Sequence, residues 1–236
     1  MEVVLDTYQA EYDETHPLVG MDEASKAVHA DVDPALPMSP GQTRCEDHHY
    51  ERKDVQAIFC FVDPLCGWRR VSCRDSRTRV DWAEEVRHLL EVDYPHAEWV
   101  TLVCDNLNTH SIASPYAAFD PATAHRLARR LRIVYTPRNG SWLNIAEIEL
   151  SVLTRQCIGR RFADTQEMVA AIDKWQAARN AAGNGITWRF TNADARVKLK
   201  TLYPVNLPDK NESMGYYLGL CRSGCARRGL PQTYFL

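Results

Sequence analysis

Short, nearly continuous apolar runs recur along the chain, and between them the apolar positions fall at helical spacing. Val55 to Val62 (VQAIFCFV) is β-branched and aromatic, the mark of a buried strand. Gly67 to Ser72 (GWRRVS) is placed to return antiparallel to it after an Asp63-Pro64 turn. Leu18 to Met21 predicts a brief strand ending in Asp22-Glu23, Trp99 to Cys104 (WVTLVC) a buried one ending in Asp105, and Ile133 to Tyr135 a short one closed by Thr136-Pro137.

Helical spacing predicts a short helix over Val3 to Tyr12 and another over Val80 to Val92, with Val80, Ala83, Val86, Leu89 and Leu90 on one side. Pro121 to Leu131 follows, with Asp120 as its cap and Pro121 in its first turn. A helix from about Asn144 to Cys157 carries the stripe Ala146, Leu150, Leu153 and Cys157, and one from Thr165 to Ala182 has Asp164 at its N-cap. Asn192 to Leu202 reads as the last. Asp31 to Asp47, rich in proline and acid, reads as a loop. From about residue 205 glycines interrupt every period, which predicts a weakly ordered tail over 205–236. The order of elements predicts a mixed sheet covered by helices, an α/β layer architecture.

At 236 residues, 45% hydrophobic and 25% charged, the chain suits one sizeable domain. No apolar run reaches the roughly 18 residues that span a bilayer, and Met1 is followed by the acids Glu2 and Asp6, so the expectation is a cytoplasmic protein with no membrane partner. The eight cysteines contain no CxxC pair. Cys45, His48 and His49 are crowded and Cys221 and Cys225 are near each other, but their spacing is poor for zinc. The net charge of −3 hides a gradient: through Asp54 there are 13 acidic and 4 basic residues, after which arginines dominate. That basic remainder suits phosphates, and solvated helix faces explain it equally well.

Two acids, Asp22 and Asp105, each end a predicted strand, where open α/β sheets keep their sites. Several such oxygens are what metal-dependent phosphodiester chemistry needs, because Mg²⁺ is hard and prefers oxygen. Two ions about 3.5–4 Å apart can activate an attacking hydroxyl and steady a leaving oxygen. The plainer alternative is that each Asp forms a turn or caps a helix. A third acid has to come from the helix near Asn144, which offers Glu147 and Glu149; residues two apart face different sides, and periodicity does not choose between them.

Asp105 opens the block DNLNTH, and from Tyr135 the chain runs YTPRNGSWLNIAEIELSVLTRQC. With MDEASK at the first acid and WRFTNADARVKLKTLYP near the end, these blocks resemble bacterial insertion-sequence transposases related to mariner elements, the IS-six-thirty group, from about Met1 to Pro204. The resemblance implies an RNase H-like core that hydrolyses DNA at element ends and then directs the freed 3′-hydroxyl at target DNA. It implies Asp22, Asp105 and Glu147 as catalytic acids holding two Mg²⁺ or Mn²⁺ ions, with the Asn-x-x-Glu block of Asn144 and Glu147 favouring Glu147 over Glu149. Asn106, His110 and Asn144 are then expected at the substrate or behind the acids, with plain structural hydrogen bonding the alternative, and Arg138 and Arg155 at the DNA. The implied partners are double-stranded DNA, both element ends and target, and a second transposase copy.

The same resemblance divides the chain into a linker remnant (1–17), a catalytic domain (18–204) and the tail. Family members begin with helix-turn-helix domains, so the expectation is a truncated copy, whose alternative function is that of a non-catalytic remnant binding DNA or a full-length transposase. An RNase H-like nuclease on RNA–DNA hybrids would use the same carboxylates. Trp142, beside the Glu147 helix, reads first as a core aromatic packed under it, with stacking on a base as the alternative.

Overall fold

A computed structural model describes residues 1–203 apart from 34, 35, 44, 46, 47 and 139. The expected tail lies outside the described residues. Strands β1 (Leu18–Asp31), β2 (Tyr50–Asp63), β3 (Trp68–Arg74), β4 (Val100–Cys104) and β5 (Leu131–Tyr135) form one sheet in the order β3-β2-β1-β4-β5. Helices α1 (Glu2–Tyr8), α2 (Arg79–His88), α3 (Pro115–Ala118), α4 (Pro121–Arg129), α5 (Ile145–Leu153), α6 (Thr165–Ala182) and α7 (Asn192–Lys198) accompany it. β1, β2 and β3 pair antiparallel, while β1–β4 and β4–β5 are parallel. Antiparallel neighbours need only a turn, whereas parallel neighbours need a crossover, and α4 supplies the one between β4 and β5. This mixed, helix-flanked sheet is the RNase H-like α/β architecture expected.

Alternation along the strands sorts side chains onto two faces. Val19, Met21, Ala57, Phe59, Phe61, Leu102 and Cys104 pack with Trp82, Val86, Leu89 and Leu127 from the α2 and α4 side. The opposite face is covered by α5 and α6 through Ile58, Cys60, Leu150, Leu153, Met168 and Ile172. At one end of that face, Val4, Leu5 and Tyr8 of α1 meet Leu18, Val62, Val103, Leu143, Ile145 and Ala195.

Local chemistry explains the helix ends. Asp120 accepts from Ala122 and Thr123 N–H, and Asp164 from Glu167 N–H, as the capping residues implied. α6 stops at Gly183, whose φ of 59° is the left-handed conformation that glycine adopts without strain. Helix α2 carries a Thr78–Asp81 capping box.

The first helix stops at Tyr8, short of Tyr12, Val80 at the start of α2 is exposed, α3 is not among the expected elements, and the largest departure is in β1. β1 is not a brief strand ending at Asp22 but 14 residues long, running to Asp31. It pairs with β2 from Gly20↔Val62 to Asp31↔Tyr50, with a bulge between Val28 and His29. The buried Val28 and Ala30 recur two apart, a strand signal diluted by the Asp, Glu, Ser and Lys before them.

Candidate active site

The parallel pairing of β1 with β4 sets the two aspartates level. Leu18 pairs with Thr101, Val19 with Leu102 and Gly20 with Val103. Asp22 and Asp105 each lie two residues past the last of these pairs, on adjacent strands whose usual spacing is about 4.8 Å. Side chains alternate, so Asp22 shares the face of Leu18 and Gly20, the face that α5 covers, while Asp105 is the first residue past the end of β4. Because β4 ends at Cys104 while β1 continues, that corner of the sheet is open.

Helix α5 is brought onto this corner by a glycine and an asparagine. A Cβ on Gly20 would stand 2.5 Å from Ile145 Cγ2 and 3.4 Å from Ala146 N, so only glycine admits the first turn of α5 this close to β1. Asn144, 1% exposed, donates from Nδ2 to the Met21 carbonyl at 2.8 Å and caps α5 by accepting from Ala146 N–H at 3.1 Å. Tyr8 of α1 accepts from Ile145 N–H at 3.1 Å. Two N–H groups that every helix start leaves unpaired are thereby satisfied.

The two glutamates of α5 part company. Glu147, in the first turn, is exposed. Glu149 is buried at 1% exposure, 2.8 Å from Arg69 Nε, and accepts from Arg179 Nε at 3.0 Å and Nη2 at 3.2 Å. Glu149 ties α5 to β3 and α6.

Asp22 accepts from Glu23 N–H at 2.9 Å, yet burial, and then the negative charges of Asp105 and Glu147, push its carboxyl up to about 6. Crowded like charges are what a bound cation relieves. The oxygen-only donor set suits Mg²⁺ or Mn²⁺. Among the described residues, no three His, Cys, Asp or Glu side chains are gathered where they could hold a metal ion, although the charges of Asp105 and Glu147 are both felt at Asp22.

His110, 1% exposed, sits between Asp105 and Glu23. Its Nδ1 lies 2.6 Å from Asp105 Oδ1 and its Nε2 2.9 Å from Glu23 Oε1. Burial favours the neutral ring, but contacts with Asp105, Cys104 and Glu23 outweigh it and push the imidazole up to about 12. Trp82 stacks on the ring at 5.7 Å, and Tyr135 donates to the His110 carbonyl at 2.7 Å. His110 thus lies against Asp105, whose backbone carbonyl is 3.3 Å from Nδ1, and against Glu23.

A cleft of about 510 Å³ opens beside Asp105, lined by Asn106, Leu107, Thr136, Pro137, Arg138 and Ser141. Asn106 and Arg138 are both exposed to it. Arg155, exposed in the wide helical turn Thr154–Ile158, follows α5 and is not part of this lining. Trp142 is 41% exposed and so does not pack under α5. Gly20, Glu23 and Tyr8 carried no sequence signal of their own; the first two stand beside Met21-Asp22, and only three-dimensional contacts give them a role.

Among solved structures, the chain is similar to the Mos1 mariner paired end complex with Mn, at 15% identity and TM-score 0.48 over 78% of this chain and 55% of that one. The Mos1 strand transfer complex gives 15% identity and TM-score 0.46 over 75% and 51%. A simian T-cell lymphotropic virus intasome bound to PP2A regulatory subunit B56 gamma gives 12% and 0.41 over 67% and 47%. The chain thus spans about half the length of these structures' chains. A comparison with curated proteins finds no match. The family model described as DDE superfamily endonuclease matches residues 17–169, a stretch that holds β1 to β5, α5 and all three carboxylates, and the chain belongs to that superfamily.

Proposed function

We propose that this chain is the catalytic core of a transposase of the mariner-like, IS-six-thirty group, cutting and joining DNA with Asp22, Asp105 and Glu147 as the ligands of two Mg²⁺ or Mn²⁺ ions. The observation that carries this reading is that the register of β1 on β4 and the Gly20–Ile145 approach put two aspartates and the first turn of α5 at one open corner of the sheet. Divalent ions held there would polarise a phosphodiester and lower the cost of the attacking and leaving oxygens.

The chain's own residues do the rest. Asn144 fixes the first turn of α5, and with it Glu147, against Met21. His110, held by Glu23, keeps the Asp105 carboxylate in place. Arg138 faces backbone phosphate in the cleft, and no Ser or Cys nucleophile is called for. In this reading the unit is residues 18–204, the partners are double-stranded element ends, target DNA and a second copy, and the setting is the cytoplasm. Among the described residues no helix is long and apolar enough to cross a membrane.

The test supplies the full chain with Mn²⁺ and duplex DNA carrying pre-cut 3′-hydroxyl ends. Joined products are expected from the wild type and none from Asp105→Ala; equal yields from both would remove Asp105 from the reaction. A second reading, a non-catalytic DNA-binding remnant, draws on there being, among the described residues, no three acids gathered where they could hold a metal ion. Salt-sensitive DNA binding with no joining at any Mn²⁺ concentration would establish it instead.

A further inference from the structure

We propose that Trp142, with Phe190 and Lys198 beside it, is a stacking ledge for an unpaired nucleobase of the DNA strand whose phosphate enters the carboxylate cleft; this rests on the DNA-processing reading above. All six tryptophans lie among the described residues. Trp82 is fully buried, Trp68, Trp99, Trp175 and Trp188 are partly covered, and Trp142 alone is exposed, at 41%. Leaving an indole in water forfeits apolar burial that the other five keep.

Its backbone is not loose. The 3₁₀ turn Ser141–Leu143 is closed by Leu143 N–H on the Gly140 carbonyl at 3.0 Å and Asn144 N–H on the Ser141 carbonyl at 2.7 Å. Leu143 and Asn144 are buried, so the exposed ring stands on an anchored support.

The surroundings select the ligand. Phe190 meets Trp142 edge to face, with centroids 5.9 Å apart at 75°, and Lys198 Nζ lies 5.6 Å from the Phe190 centroid. Lys198 is an exposed cation on this patch, and Arg189, the residue before Phe190, is also exposed. Aromatic rings interleaved with cations match nucleic acid, where bases stack and phosphates pair. Ser141, next to Trp142, lines the cleft with Asp105 and Arg138, and Glu147 follows five residues on, so the ledge stands at the edge of that cleft. Bases inside a duplex are already stacked on their neighbours, so the indole gains only where one is unpaired.

The experiment measures binding of the full chain, in chelator so that nothing is cut, to a blunt duplex and to the same duplex with a three-nucleotide single-stranded tail. Tighter binding of the tailed form is expected. Trp142→Ala should lower that preference roughly ten-fold, Trp142→Phe should keep most of it, and blunt-duplex affinity should not change. Independently of any variant, 2-aminopurine placed in the tail should be quenched when the wild type binds.

An unquenched tail overturns the proposal, as does a Trp142→Ala loss equal on both DNAs or absent from both; the latter would mark a surface for some other partner. Because binding is read without metal, these outcomes are separate from the joining assay of Asp105→Ala.

Discussion

The Nδ2 of Asn144 and the carbonyl of Met21 are joined by a buried hydrogen bond of 2.8 Å between the start of α5 and the residue before Asp22. One side chain thus fixes the distance between two of the three carboxylates' supports. Asn144→Ala removes this bond and the cap on Ala146, and we expect a loss of about 2–4 kcal/mol in denaturant unfolding. Asn144→Asp keeps the capping oxygen and loses the donor to Met21. Its Mn²⁺ affinity, followed by calorimetry, should fall as far as that of Asn144→Ala; wild-type affinity in Asn144→Asp would show that the Met21 bond does not position Glu147.

Glu147 and Glu149 give opposite expectations. Glu149 is buried between Arg69 and Arg179, so Glu149→Gln leaves two guanidinium groups short of a counter-charge and should cost about 3–5 kcal/mol of stability. Glu147 is exposed and carries no such burden. Glu147→Gln should unfold within about 0.5 kcal/mol of the wild type while DNA joining is lost. A Glu147→Gln protein that joins DNA normally would return the third position to an open question.

These contrasts mark what could be read in the chain. β2, β3, α4 and α6 were legible because their signals are local: β-branched runs, Asp caps, a terminal glycine. Asp22 and Asp105 stood out as acids after apolar runs. That they lie level beside each other was not legible, because it depends on β1 pairing in parallel with β4, more than 80 residues away in register Gly20↔Val103. The length of β1 was hidden for a related reason: polar residues at Ser25 and Lys26 are tolerated where the strand leans on β2 alone. The Glu149 ion pairs also escaped, since Arg69 and Arg179 come from distant segments.

The raised carboxyl of Asp22 predicts a pH dependence in the metal-free protein. Its ordinary value is 3.8 and its folded value about 6. Below the lower value both states are protonated and nothing is lost. Between the two, the unfolded chain ionises first, so folding stability falls as pH rises, and above the upper value the loss is complete, on the order of 1–3 kcal/mol. Asp22→Asn should therefore unfold at a higher temperature than the wild type at pH 7 in chelator, and the gap should close near pH 4. Mg²⁺ should restore stability to the wild type and not to Asp22→Asn. A wild-type melting temperature flat across this range would contradict the burial of Asp22 and, with it, the crowding by Asp105 and Glu147.

Gly20 supplies the most demanding test of the corner's geometry. Its added methyl would sit 2.5 Å from Ile145 Cγ2, a branched methyl with no room to swing because Ile145 is fully buried. Gly20→Ala should cost about 1–3 kcal/mol through overpacking. The strain has one outlet, a shift of α5 away from β1, which carries Glu147 off Asp22 and should weaken Mn²⁺ binding more than the stability loss alone implies. Ile145→Ala opens the space the methyl needs. The double variant Gly20→Ala/Ile145→Ala should then lose less stability than the two single losses added together, and recover part of the Mn²⁺ affinity. Strict additivity in both readouts would mean that the two residues do not meet, and that something other than their contact holds α5 against the strand of Asp22.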